Sequence, residues 1–439
     1  MTPTANVHRQ RLARVGQVDT VQRVGHVARA FGTLIRVTGI RARIGELCEL
    51  RNPDDDFRLV GEVVGIAGGE TLLTPLGSLE GLSAAAEVTA TGHRASVAVG
   101  EQLKGRVLDA HGVTMDDGPE LVLADRMPVY GAAPNPLTRQ RIAKRFDTGV
   151  RSIDSMLTMG EGQRVGIFAS AGGGKSTLMG MLARRSDADV NVIVLVGERG
   201  REVSEFIQDS LGEEGMKRSV VVVATSDRPA LERSRAAYVG TAIAEYFREK
   251  GQRVLLLVDS ITRFARALRD VGLAVGEPPV RRGFTPTVFS SLPLLFERAG
   301  NSANGTMTAV YSVLVEDDND VDPIAEETRS IIDGHIVLSK KLASANHYPA
   351  IDVLRSISRL MPKVTDDEHR DSASTLREYL ARYEDIELLL QLGEYEPGKD
   401  ATSDAAIQYR DAINQFLRQG EEEVAPANDT EATLKSLFR

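Results

Sequence analysis

The sequence predicts an α/β chain in three parts: a parallel sheet covered by helices at the centre, a small all-β domain before it and a helical domain after it. Three observations carry this reading. Between about residues 164 and 340, apolar runs such as VNVIVLVG and SVVVVAT recur without polar alternation, which marks strands buried on both faces. Before them, from about 20 to 98, short β-branched runs are broken at close intervals by Gly, Asn or Pro, as in a small β barrel or sandwich. After about 363 the strands stop and apolar residues fall at helical spacing.

Taken in order, the first fifty residues hold eight Arg against three acids. This is read as a solvated basic arm, with contact to anionic lipid or an acidic partner as the alternative. The first strand candidates are GTLIRVTG, ELCELRNP, GEVVGIAGGETLLTPLG, EVTATG and ASVAVGEQL. PVYGAAPNPLTRQRI follows as a linker, because its prolines disfavour regular structure. The runs RVGIFAS, VNVIVLVG, SVVVVAT, RVLLLVD, TMTAVYSVLV and GHIVLS alternate with helix-forming sequence and make an α/β nucleotide-binding core. STLREYLARYEDIELLLQLG and AAIQYRDAINQFLRQ read as helices, and QGEEEVAPANDTEA as a mobile tail. The expected parts are an N-terminal β barrel with its basic arm over 1–98, the α/β domain over 99–362, and a helical domain with a mobile tail over 363–439.

Composition narrows the function classes. A net charge of −9 argues against a chain whose main business is coating nucleic acid. Trp is absent and aromatics are sparse, which leaves few residues to stack on bases. A single cysteine, Cys48, excludes an internal disulfide and a cysteine zinc site, and suits a reducing compartment such as the cytoplasm. No apolar stretch approaches the roughly 20 residues that span a bilayer. MTPTANVHRQRLARVGQV lacks the apolar core of a signal peptide, so the expectation is a protein neither secreted nor integral to a membrane.

The chemistry lies in three places. Strand RVGIFAS runs into a loop ending Gly172, Gly173, Gly174, and then into Lys175, Ser176, Thr177 and the helix TLMGMLARR. Glycines let backbone N–H groups wrap phosphates, Lys neutralises the β- and γ-phosphates, and Ser ligates Mg²⁺ at a helix N-terminus. The strict motif has Gly where Ala169 stands. Asp259 ends the apolar run RVLLLVD, where it can hold Mg²⁺, usually through water. Glu198 follows VNVIVLVG, where it can act as base for the attacking water. An isolated Asp or Glu at such a place is ordinarily a turn residue; their coincidence with the glycine loop at successive strand ends is what points to ATP hydrolysis.

On these residues the chain resembles the hexameric rotary-type ATPases. The motifs are GERGRE, LLLVDSITRFARALRDVGLAVGEPPVRRGF, HYPAIDVLRSISR and LGEYEPGKD. The resemblance is greatest to the ATPases of bacterial type III secretion, whose relatives include the flagellar export ATPase and the catalytic subunit of rotary ATP synthase. It implies a RecA-like P-loop core, ATP and Mg²⁺ as ligands, and Glu198 as the catalytic glutamate. By the same resemblance, Arg199 and Arg263 flank the catalytic centre, Tyr348 packs on adenine, and Arg359 is an arginine finger offered to the neighbouring subunit. The implied assembly is a homohexamer working with stalk and stator-type export proteins and chaperone–substrate complexes. The implied location is cytoplasmic and peripheral at the inner membrane, without nucleic acid.

Departures within the family have weight as well. Ala169 matches the FASAG loop of injectisome ATPases, and RALRD points the same way, whereas VGLAVGEPP is equally flagellar in character. LGEYEPGKD stands where a synthase subunit would carry an acidic DELSEED-like loop, which disfavours a rotary synthase. A flagellar export ATPase is the alternative. A non-catalytic scaffold subunit would be expected to lose Lys175 or Glu198, and both are present. An RNA-translocating ring would need basic and aromatic residues in a β region whose only Phe residues are Phe31 and Phe57.

Overall fold

The computed structural model describes residues 23–170, 172–315 and 322–438; Arg9, Arg11 and Arg14 of the expected basic arm lie outside them, whereas Arg23, Arg29, Arg36, Arg41 and Arg43 belong to the barrel unit. The chain divides into one unit ending at Ala95 and a second beginning at Ser96.

In the first unit, β1 (Val24–Phe31), β2 (Leu34–Thr38), β3 (Glu46–Arg51), β4 (Arg58–Ala67), β5 (Glu70–Pro75) and β6 (Glu87–Arg94) close into a barrel in the order β1-β2-β5-β4-β3-β6. The barrel closes through antiparallel pairing of β1 with β6. Alternation drives it: in β3, Cys48 and Leu50 are buried while Glu49 and Arg51 are exposed. Ile35, Val37, Leu73 and Val88 complete the interior. The β4–β5 hairpin turns on Gly68 and Gly69, with φ of 59° and 82°. Positive φ at both central residues matches the twist of the flanking strands, and glycine adopts it without steric cost.

In the second unit, β7 (Ser96–Val99) pairs with β9 (Asp125–Pro128), and β10 (Arg145–Phe146) with β11 (Met159–Gly160). The main sheet holds β8 (Arg106–Asp109), β12 (Arg164–Ala169), β13 (Val190–Val196), β14 (Ser219–Ala224), β15 (Arg253–Asp259), β16 (Thr306–Leu314), β17 (Gly334–Leu338) and β18 (Ile351–Ser358). Its order is β18-β17-β12-β16-β15-β13-β14-β8. All neighbours are parallel except β17 and β18. β13 and β14 are buried at every position, as their unbroken apolar runs require. The two edge strands, β8 and β18, were not among the strand candidates. Arg355 and Ile357 of β18 are exposed, so its apolar run is broken, and β8 is only four residues long.

The C-terminal helices Asp367–Leu392 and Ala401–Leu417 start on the side chains of Asp366 and Asp400, which accept from His369 N and Ser403 N. Leu376, Leu380, Ile413 and Phe416 join the same core as Ile167, Leu255 and Val310. The segment read as a mobile tail is a correction: Ala427–Ser436 is helical. Ala427, Thr430 and Leu434 are its buried residues, and Glu431 accepts from Arg145 at 2.8 Å. Three small or apolar contacts at helical spacing suffice to dock it, although its composition is that of a solvated segment.

Candidate active site

β12 ends at Ala169, fully buried, and the chain passes through the glycines into the helix Lys175–Arg185. Gly172 and Gly174 have φ of 78° and 82°, a conformation L side chains rarely adopt. Gly173 N donates to Ser170 O at 3.2 Å and Leu178 N to Gly174 O at 3.0 Å. The loop therefore ends on an 11-residue helix, whose first N–H groups and positive dipole end suit an anion. Lys175, Ser176, Thr177, Glu198, Asp259 and Arg263 line one cleft of about 400 Å³ beside it.

The parallel register brings the carboxylates there. β13 and β15 are adjacent, with Leu195 opposite Asp259, and Glu198 follows three residues after Leu195. The Lys175 ammonium is ion-paired with Asp259 and stands 3.7 Å from Glu198 Oε1. Asp259 Oδ1 also accepts from Ser312 Oγ at 2.6 Å. Arg263, in the first turn of helix Ile261–Ala274, pairs through Nη1 with Glu198 Oε2 at 2.5 Å and donates to Gly197 O at 2.6 Å. Ser260 caps that helix by accepting from Arg263 N.

Burial pushes the Glu198 carboxyl up to about 7, helped by its hydrogen bond with Glu202 and by the charge of Asp259; Lys175 and Arg263 oppose the shift. Glu202 is held below the ordinary carboxylate range, chiefly by that same hydrogen bond. Glu198 Oε1 is buried without a hydrogen-bond partner. A carboxyl poised near neutrality with one oxygen unsatisfied is suited to take a proton from water.

The remaining candidates fall in different places. Tyr348 is 44% exposed, and its ring lies 3.7 Å from where a Cβ on Gly174 would stand. Its carbonyl accepts from Gln419 N at 2.9 Å, and an open pocket beside it is lined by Asn346, Arg418 and Gln419. Arg199 does not line the phosphate cleft: it precedes helix Gly200–Glu205, its side chain is 77% exposed, and it pairs with Glu202 at 3.8 Å.

Arg359 is exposed at the far end of the sheet. Its N–H donates to Asp333 O at 3.0 Å, and Asp333 accepts from Arg164 N at the start of β12. The phosphate loop leaves the other end of β12, a six-residue strand, roughly 16 Å away at about 3.3 Å per residue.

Sequence reading missed Ser312 and Glu202. A hydroxyl inside the apolar run TMTAVYSVLV was the available signal for Ser312, because a polar group buried in a strand needs a partner. Among the described residues no group of three or more His, Cys, Asp or Glu side chains could hold a metal ion. Mg²⁺ needs no such cluster: it is held by oxygens from one or two carboxylates and from the substrate's phosphates. The Asp259 carboxylate and Ser176 hydroxyl beside the glycine loop fit that requirement.

The three parts of the chain match three family models in the same order. These are the β-barrel domain of the ATP synthase alpha/beta family over residues 27–92, its nucleotide-binding domain over 149–358, and the C-terminal domain of the type III secretion ATPase EscN over 365–436. The fold and the site thus define a P-loop ATPase of the ATP synthase alpha/beta type. The chain is 52% identical over 416 residues to the type 3 secretion system ATPase of Xanthomonas euvesicatoria, covering 95% of this chain and 94% of that one. It is 47% identical over 426 residues to the flagellum-specific ATP synthase of Bacillus subtilis, covering 96% and 97%. The assembled ATPase EscN of enteropathogenic E. coli superposes with a TM-score of 0.89 at 44% identity, over 94% of this chain and all of that one. EscN solved with its central stalk EscO superposes with a TM-score of 0.88 at 43% identity, over the same shares. Within its class, the chain belongs to the type III secretion ATPases.

Proposed function

We propose that the chain hydrolyses ATP as a homohexameric ring at the cytoplasmic face of a type III export apparatus. Hydrolysis releases chaperones from export substrates and unfolds those substrates for translocation. The observation that carries the ring is Arg359. It is exposed, at the opposite end of the sheet from its own phosphate loop, so its guanidinium serves a nucleotide on a neighbouring copy. A head-to-tail contact that closes on itself is the symmetry such a shared site needs. The EscN structures support an assembled ring and a stalk partner. Stator-type partners and peripheral attachment to the inner membrane belong to the same reading.

The residues divide the work as follows. Backbone N–H groups of Gly172 to Gly174 and the Lys175 ammonium hold the phosphates, and Tyr348 packs on the adenine. Ser176 and Asp259 would hold Mg²⁺, which would supply positive charge to neutralise the phosphoryl oxygens. Glu198 orients water and takes its proton, while Arg263 keeps Glu198 in place. Arg359 of the adjacent copy stabilises charge in the transition state.

Phosphate release by purified protein tests the assignment. Lys175→Ala and Glu198→Gln each lower turnover by about 100-fold or more on this reading, and hydrolysis by either within about tenfold of wild type would sink it. A second reading, the flagellar export ATPase, is favoured by the 47% identity to a flagellum-specific relative. Complementation of an injectisome-ATPase deletion and of a flagellar-ATPase deletion separates the two.

A further inference from the structure

Asp259 Oδ1 accepts from two donors, the Lys175 ammonium and the Ser312 hydroxyl. Ser312 is fully buried. It follows the register pair Val258–Tyr311 between β15 and β16, and it stands opposite Ile167 of β12. It therefore sits between the strand that carries Asp259 and the strand that leads into the glycine loop. Flanked by Tyr311 and Val313 in a strand buried along most of its length, its hydroxyl has to find a partner in the sheet.

The two donors behave differently when nucleotide enters. Lys175 has to turn to the β- and γ-phosphates, and its long flexible stem lets it do so. Ser312, on the backbone of a central strand, stays. Of the two contacts on Asp259, only the one from Ser312 would then persist when nucleotide binds.

We infer that Ser312 is a positioning residue for Asp259, holding Oδ1 so that the second carboxylate oxygen is kept for the Mg²⁺ shell beside the phosphates. This rests on the reading of the cleft as the nucleotide site. Removing a hydrogen-bonding partner behind a metal-binding group typically lowers metal affinity about 10- to 100-fold.

Binding of a fluorescent ATP analogue to the full chain, titrated with Mg²⁺ and repeated in EDTA, tests the inference. Ser312→Ala raises the Mg²⁺ midpoint about tenfold or more and leaves binding in EDTA unchanged; Ser312→Thr, which keeps the hydroxyl, restores most of the midpoint. A Ser312→Ala midpoint equal to that of the wild type overturns the inference. So does a loss equally large in EDTA, which reports a merely structural role, or a Ser312→Thr chain that melts like wild type yet matches Ser312→Ala. Lys175→Ala is the control for the site: a wild-type chain whose binding ignores both Mg²⁺ and Lys175→Ala overturns the nucleotide-site reading, and the inference with it.

Discussion

The backbone N–H of Arg359 donates to the carbonyl of Asp333 at 3.0 Å, which anchors it at the end of the sheet away from Gly174. On the proposed reading, a finger held there would act only toward another copy. The rate per subunit should therefore rise with protein concentration and level off once rings are complete. Arg359→Ala should lower kcat by about 10³ to 10⁵ at every concentration and leave nucleotide affinity intact. Rates measured against concentration, with equilibrium binding alongside, check this; a rate per subunit that is flat and indifferent to Arg359 counts against a shared site.

If Glu198 is the base, as proposed, it should set the pH dependence of turnover. Burial raises its carboxyl from an ordinary 4.5 to about 7, and the form that accepts a proton from water is the carboxylate. kcat/KM should rise with pH, about tenfold per unit well below 7, and reach a plateau above it. The residual activity of Glu198→Gln should lack this limb. The sign for stability is opposite. The folded chain keeps a proton that the unfolded chain releases near 4.5, so this group takes stability away as pH rises from 4.5 to 7 and the loss is complete above 7. Glu198→Gln should flatten that part of the stability profile, read from urea midpoints across pH.

Lys175 and Glu198 should fail in different ways. Lys175→Ala should remove the cation proposed to meet the phosphates and weaken nucleotide binding. Glu198→Gln leaves binding near wild type and lowers kcat by about 10² to 10⁴. Titration with a fluorescent nucleotide beside steady-state kinetics separates the two.

Arg298 and Glu245 form a two-pronged pair, at 2.8 and 2.7 Å, and both side chains are buried. Arg298 also donates to Val129 O at 2.6 Å. Arg298→Ala strands a buried carboxylate and should cost about 3–5 kcal/mol. Urea unfolding gives the value, and a loss below about 1 kcal/mol, the range of an exposed pair, would show that the pair is not shielded from water.

Leu434 is fully buried on the C-terminal helix. Leu434→Ala should destabilise the second unit by about 2–5 kcal/mol. An unchanged melting temperature would mean that this helix does not stay docked in solution.

Much of the architecture was legible because its causes are local. A strand buried on both faces has to be apolar throughout, so β12, β13, β14 and β15 stand out in the chain. The phosphate loop is contiguous from strand to glycines to Lys175, and Asp259 and Glu198 are marked by the strands they follow. What was not legible depends on register and on edges. Ser312 meets Asp259 across 53 residues, and Arg263 meets Glu198 only because the segment after β13 and the helix after β15 face one cleft. Arg199, from the same motif as Glu198, turns outward instead. β18 is antiparallel at an edge, so its exposed residues hide the strand, and that same direction of travel carries Arg359 away from its own phosphates. Short-range chemistry set the glycine loop and its lysine; the pairing of distant strands chose which oxygen of Asp259 is held and which end of the sheet the arginine occupies.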